Sequence, residues 1–132
     1  MLTHSSFIQV RYAETDQMGV VYHGNYAAYL EVARIAWLQN LGISYKKMEE
    51  NGIILPVYEL SFFFHKSAFF DDQLRIETSI EALPRVRIIF RYKIYNQNGD
   101  LLTTANSTLV FVNKETGKPT RCPKNILDKL IS

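Results

Sequence analysis

The alternation of apolar and polar positions from Phe7 to Ala13 sets Ile8, Val10 and Tyr12 on one side and Gln9 and Arg11 on the other. A two-residue period of this kind predicts a half-buried strand. From about Asn25 to Asn40 the period lengthens. Tyr26, Tyr29, Leu30, Ala33, Trp37 and Leu41 fall at helical spacing, and Ala27, Ala28, Val32, Ile35 and Leu38 occupy most of the other positions. Glu31 and Arg34 are its only charges, three residues apart on one side, where they are expected to pair. A helix this apolar all round is expected to be surrounded rather than laid on a surface. Gly42 is its expected stop.

A short polar helix is expected at about Ser44 to Asn51, with Ser44 as its cap. Ile53 to His65 reads as a strand with both faces partly covered, and Pro56 marks an edge or a bulge within it. The second half is a meander. Leu74, Ile76, Thr78, Ile80 and Ala82 alternate with polar residues, and Val86, Ile88, Phe90, Tyr92 and Ile94 do the same beyond Pro84. Folding the two runs about Pro84 predicts Ile80 opposite Ile88, Thr78 opposite Phe90 and Ile76 opposite Tyr92. On the other face this register sets Glu81 against Arg87 and Glu77 against Arg91. The stripe Arg85, Arg87, Arg91 and Lys93 is then a solvated strand face with acidic partners. Asn98-Gly99 is a turn, Leu101 to Val112 the last long strand, Lys114 to Lys118 a second turn, and Asn125 to Ile131 a terminal helix.

Strands of about ten residues, roughly 33 Å long, can curl around a helix of about 16 residues, roughly 24 Å long. The expected architecture is one α+β domain over residues 1–132, in two layers. A chain of 132 residues suits a single domain. Its 47% hydrophobic and 21% charged content is that of a globular protein. A net charge of +2 argues against a nucleic-acid binder held by phosphate contacts. The lone Cys122 cannot form an internal disulfide, and no charged-then-apolar leader opens the chain, so a cytoplasmic setting is expected. No uncharged apolar stretch approaches the ~18 residues of a membrane span. Aromatic residues make up 13% of the chain, and the sheet edges they would leave open predict a homo-oligomer.

The chemistry concentrates in Arg11 to Tyr26, where strand passes to helix through a turn holding Asp16, Gly19, His23 and Gly24. A helix N-terminus presents unpaired N–H groups that favour negative charge. A carboxylate beside it can serve an acyl-transfer site, or can simply be a turn or capping residue. Tyr12 can equally be core, and Asn25 a helix cap.

The run Tyr12-x-Glu14-Thr15-Asp16-x-x-Gly19-Val20-Val21-Tyr22-His23-x-Asn25-Tyr26, with Tyr29, Glu31 and Arg34 after it, resembles the 4-hydroxybenzoyl-CoA thioesterase family of hot-dog-fold enzymes. Ala68-Phe-Phe-Asp71-Asp72 and Gly117-Lys118-Pro119-x-Arg121-x-Pro123 extend the likeness over nearly the whole length. Two positions depart from the family's pattern. Ser67 stands where the family usually has Pro, and Ile35-Ala36 where many relatives carry Thr-Glu.

The resemblance implies a hot-dog fold, a long helix wrapped by a curved antiparallel sheet, assembled as a homodimer or homotetramer. It implies an acyl-CoA thioesterase acting on a small, medium or aromatic acyl group. Asp16 would attack the thioester or activate water, the His23 backbone N–H would hold the oxyanion, and the His23 side chain would be a second donor. Tyr12 would help position the acid or the acyl group. Gly24 would let substrate approach the backbone, with Gly19 beside it in the turn. Coenzyme A would be held by Lys118, Arg121 and Lys124, with Lys66 behind them. No cofactor and no metal is implied, because His4, His23 and His65 do not fall at ligand spacing. An acyl-carrier-protein thioesterase and a non-catalytic acyl-CoA-binding module are the alternative readings.

Overall fold

The computed structural model describes residues 2–131. Its first strand, β1, spans Leu2–Gln9 and pairs antiparallel with β4, Gln73–Ile80. The strand thus begins earlier than the alternation at Phe7 suggested and ends before Arg11. Between Leu2 and Ile8 its inward positions are His4 and Ser6, too polar for a hydrophobic period to show. Beyond β4 come β5, Arg87–Tyr95, then β6, Leu101–Val110, and at the far edge β3, Val57–Phe64. The order β1-β4-β5-β6-β3 is antiparallel throughout.

Helix α1, Tyr26–Asn40, lies on one face of this sheet. Leu30 and Ala33 are fully buried, and Trp37 meets Phe90 edge to face at 5.1 Å. Leu74, Ile76, Ile88, Phe90 and Ile94 come up from the sheet to meet them. Each large side chain so buried contributes about 1.5–3 kcal/mol. The helix is nevertheless not surrounded. Ala27, Ala28, Glu31 and Val32 face outward, Val32 at 50% exposure. Its apolar back is uncovered in a single chain.

The β4–β5 pairing departs from the expected register by two residues. Ile80 stands opposite Phe90, Thr78 opposite Tyr92 and Ile76 opposite Ile94. A shift of two leaves every side chain on its predicted face, so alternation could not distinguish the two registers. The connection through Pro84 is a longer loop than a tight turn, and that loop sets the offset. The charge pairs move accordingly: Glu81 bonds Arg91 at 2.8 Å, Glu77 stands opposite Lys93 and bonds Arg75.

The run Ile53 to His65 is broken in two. β2, Ile53–Ile54, pairs with β7, Val112–Asn113, and the chain turns at Leu55-Pro56 before entering β3. Proline has no N–H for a ladder, and a register shift follows between Val57 and Glu59. The expected strand from Leu101 to Val112 divides likewise at Phe111. α2, Tyr45–Glu50, is capped by Ser44, whose hydroxyl accepts from the Lys47 N–H at 3.2 Å. α3, Lys124–Ile131, closes one end of the core with Ile126 and Leu130.

Candidate active site

Two short 3-10 turns, Tyr12–Glu14 and His23–Asn25, bracket the loop between β1 and α1. Glu14 holds them together. Its carboxylate accepts from the Arg11 backbone N–H at 2.9 Å, from the Arg11 guanidinium and from the Tyr29 hydroxyl at 2.8 Å. Its carbonyl accepts from Tyr22 N–H and from the Asn25 side-chain amide at 2.8 Å. Asn25 therefore does not cap α1 with its side chain; it ties the helix start back to the Glu14 turn. Burial pulls the Glu14 carboxyl upward, but the bonds from Arg11 and Tyr29 outweigh it and hold the group below its ordinary value. The Tyr29 phenol is pushed up by burial and by that carboxylate.

Between the two turns the chain doubles back at Asp16. Its N–H donates to the Val20 carbonyl at 2.8 Å, and its own carbonyl accepts from Gly19 N–H at 3.0 Å. Gly19 closes this turn at φ +79 with nothing within 4 Å of a would-be Cβ, so backbone conformation and not crowding requires glycine there. Asp16 Oδ1 accepts from Met18 N–H at 2.8 Å. The turn reading of Asp16 is thus correct for one oxygen. Oδ2 has no partner among the described residues.

The turn leans on the segment after β3. Val21 N–H donates to the Ala68 carbonyl, and Val20 bridges to Phe69. Between them opens a groove of about 370 Å³ lined by Asp16, Val20, Val21, His23, Tyr26 and the run Phe64 to Ser67. Neither His23 nor Gly24 has its N–H engaged among the described residues, because both precede the first helical acceptors. The groove therefore offers an exposed carboxylate oxygen, a histidine ring, and free amides at the opening of an apolar helix.

The other expected site residues are placed unevenly. Lys66 lines the groove and sits 3.9 Å from Asp100. Tyr12 does not line it: its ring is 76% exposed and stands edge-on to Phe70 at 5.6 Å. Through its backbone, however, the Tyr12 carbonyl receives both the N–H and the hydroxyl of Thr15 at 3.1 and 2.7 Å. At Gly24 an added Cβ would lie 2.5 Å from the Tyr22 ring, so that ring fills the space a side chain here would need. Lys118, Arg121 and Lys124 are not brought to the groove. Their segment is fastened to the far end of the sheet, where Thr120 N–H donates to the Phe111 carbonyl and Val112 bridges to Pro119. That end carries Val57, whereas the groove is at Phe64; β3 puts about 23 Å between them.

Phe64, His65 and Tyr26 were missed as groove residues. Phe64 packs on Tyr26 at 5.0 Å, and His65 reaches Thr104 at 3.2 Å. Tyr26 was legible only as part of a helical stripe. The other two stood in an apolar run with no chemical signal. Glu31 and Arg34 form no ion pair; Arg34 turns inward to the Tyr92 hydroxyl at 3.3 Å. Cys122 is buried, and burial pushes its thiol up to about 11, which leaves it protonated and unreactive.

A long helix on a curved antiparallel sheet, with a carboxylate and free amides meeting at the helix start, defines a hot-dog-fold thioester hydrolase. Residues 10–130 match the profile of the thioesterase-like superfamily, and the chain belongs to that family. It is 39% identical to the YneP protein of Bacillus subtilis (strain 168) over 92% of this chain and 88% of that one. It is 31% identical to the acyl-CoA thioester hydrolase YbgC of Escherichia coli O6:H1, over 91% and 90% of the two chains. The solved DHNA-CoA thioesterase from Staphylococcus aureus superposes with a TM-score of 0.88 at 43% identity, covering 92% of this chain and 81% of that one.

Proposed function

We propose that this thioester hydrolase cleaves a small, medium or aromatic acyl-CoA to the free acid and CoA, with Asp16 Oδ2 as the reacting oxygen. That oxygen either attacks the thioester carbonyl or takes the proton of an attacking water. The carbonyl oxygen, as it gains charge, is received by the His23 N–H, with the His23 ring as a second donor. Tyr12 acts as a positioning residue through its carbonyl, which fixes Thr15 and so the turn that aims Asp16. Gly19 permits that turn, and Gly24 leaves room for Tyr22 beside the entering acyl group. The carrying observation is that Asp16 Oδ2 is unengaged in a groove next to unengaged helix-start amides.

The working unit in this reading is a homodimer joined along β3. In a single chain that strand is an open edge with Leu60, Phe63 and Phe64 exposed. Two copies paired antiparallel across a two-fold would set the Phe64 end of one against the Val57 end of the other. Lys118, Arg121 and Lys124 of the second copy would then approach the groove of the first, beside Lys66, where the CoA phosphates need positive charge. The single-chain separation of these groups is what such a pairing accounts for.

The test is hydrolysis of a panel of acyl-CoAs by wild type and Asp16→Asn. The amide keeps the Oδ1 acceptor of the turn but loses the reacting carboxylate, so kcat should fall by about 10²-fold or more with the fold intact. A mutant as active as wild type would end the assignment.

A further inference from the structure

Between α1, α2 and the start of β3 lies a cavity of about 320 Å³, separate within one chain from the Asp16 groove. Its walls are mostly apolar, with Ile35, Leu38, Leu55, Phe90 and Leu109 among them, yet Arg34 reaches it as well. Arg34 is only 8% exposed. Among the described residues its guanidinium has one partner, the Tyr92 hydroxyl, which is itself engaged with Ser107 Oγ at 2.6 Å. Among the described residues no carboxylate lies within 4.0 Å of it; Glu31, at the same cavity, makes no ion pair with it, and Tyr45 is a neutral phenol.

An arginine has five N–H donors and does not give up its proton in a protein. Burying that charge without an anion is strongly unfavourable. A neutral tyrosine occupies one donor and balances none of the charge. The rest of the fork is left for a ligand, and planar bidentate recognition by arginine favours a carboxylate.

We propose that Arg34 is the anion receptor of a second ligand site that takes a small carboxylate with an apolar body. The charge sits on the guanidinium, with Tyr92 orienting it, and the body lies on Ile35, Leu38, Leu55, Phe90 and Leu109. The volume is at the small end for ligand sites and suits one ring or a short chain. Such a carboxylate has two sources: a free acid of the kind thioester hydrolysis releases, or the distal carboxylate of a dicarboxylic acyl group presented from a second subunit's groove. The second source rests on the proposed function; binding of the free acid does not.

Calorimetric titration of the whole protein with hexanoate and benzoate, each against its neutral amide, reads the site without turnover. The acids should bind and the amides should not. Arg34→Met, whose apolar side chain suits the same walls, should weaken acid binding by about 10-fold or more. Comparing kcat/KM for glutaryl-CoA and butyryl-CoA separates the sources. A glutaryl preference that disappears in Arg34→Met assigns the carboxylate to the acyl group; equal use of both, with the acids bound, assigns it to the free acid. Amides that bind as well as acids overturn the site, as does Arg34→Met that binds acids like wild type. Absence of acid binding together with equal use of both thioesters overturns it too. If Arg34→Met does not fold, the acid–amide comparison on wild type decides alone. Acid binding in a protein that hydrolyses no thioester would leave this site standing and remove the proposed function.

Discussion

β5 and β3 flank the same strand, β6, and are nearly the same length, yet only one of them is complete in a single chain. In β5 the burial alternates strictly, Ile88, Phe90, Tyr92 and Ile94 inward and Arg87, Ile89, Arg91 and Lys93 outward. Both its edges are hydrogen-bonded. In β3 seven of eight residues are exposed, three phenylalanines crowd its last half, and one edge has no neighbour. A strand with a polar outer face and two paired edges is finished by its own chain. One with aromatic residues on both faces and an open edge suits the proposed dimer, because leaving such a surface wet is unfavourable and invites pairing. The groove lies at the unfinished strand, and the stability lies at the finished one.

Several substitutions break or sharpen this contrast. Phe90→Ala, under Trp37 on β5, should cost about 3–5 kcal/mol, read as a lowered denaturant midpoint at unchanged oligomeric state. Leu60→Lys on β3 should do the opposite. It should dissociate the proposed dimer in sedimentation experiments and lower activity, while destabilising the separate chain by less than about 1 kcal/mol. If Leu60→Lys unfolded the chain as Phe90→Ala does, β3 would belong to the core and the contrast would fail.

Glu14→Gln weakens the tie between the turns without touching Oδ2 of Asp16. A loss of about 1–3 kcal/mol is expected where half-buried hydrogen bonds to a charged group are weakened. The same group gives a pH signature. Its folded value lies below the ordinary 4.5, so its stabilisation is fully present above that value. As pH falls below 4.5 and through the folded value it is lost, and Glu14→Gln should flatten the acid limb of the stability curve. The smallest effect is at Cys122, which in the native protein should react with thiol reagents far more slowly than a free thiol, in step with unfolding rather than with thiolate.

Much of this was legible along the chain. The α1 stripe, the β4 and β5 faces, the Ser44 cap and the turn at Asp16 all follow from local spacing and turn chemistry. What failed did so for identifiable reasons. β1 was placed late because His4 and Ser6 hide its inward period. Glu31 and Arg34 were expected to pair because helical spacing puts them together, whereas Tyr92, fifty-eight residues away, competes for the guanidinium. Only the family resemblance links Lys118, Arg121 and Lys124 to Asp16, and the antiparallel β3–β6 pairing puts them at the far end of the sheet.

By itself the sequence determined which residues face inward and where the chain turns, because those properties are set by periods of two and 3.6 residues and by the backbone freedom of single residues. It could not determine the β4–β5 offset, since registers two residues apart bury the same side chains. Nor could it decide which oxygen of Asp16 is engaged, that Glu14 joins the two turns, or that Arg34 lies buried without a counter-charge. Those depend on groups distant in sequence meeting at atomic range, and only the tertiary structure fixes such distances.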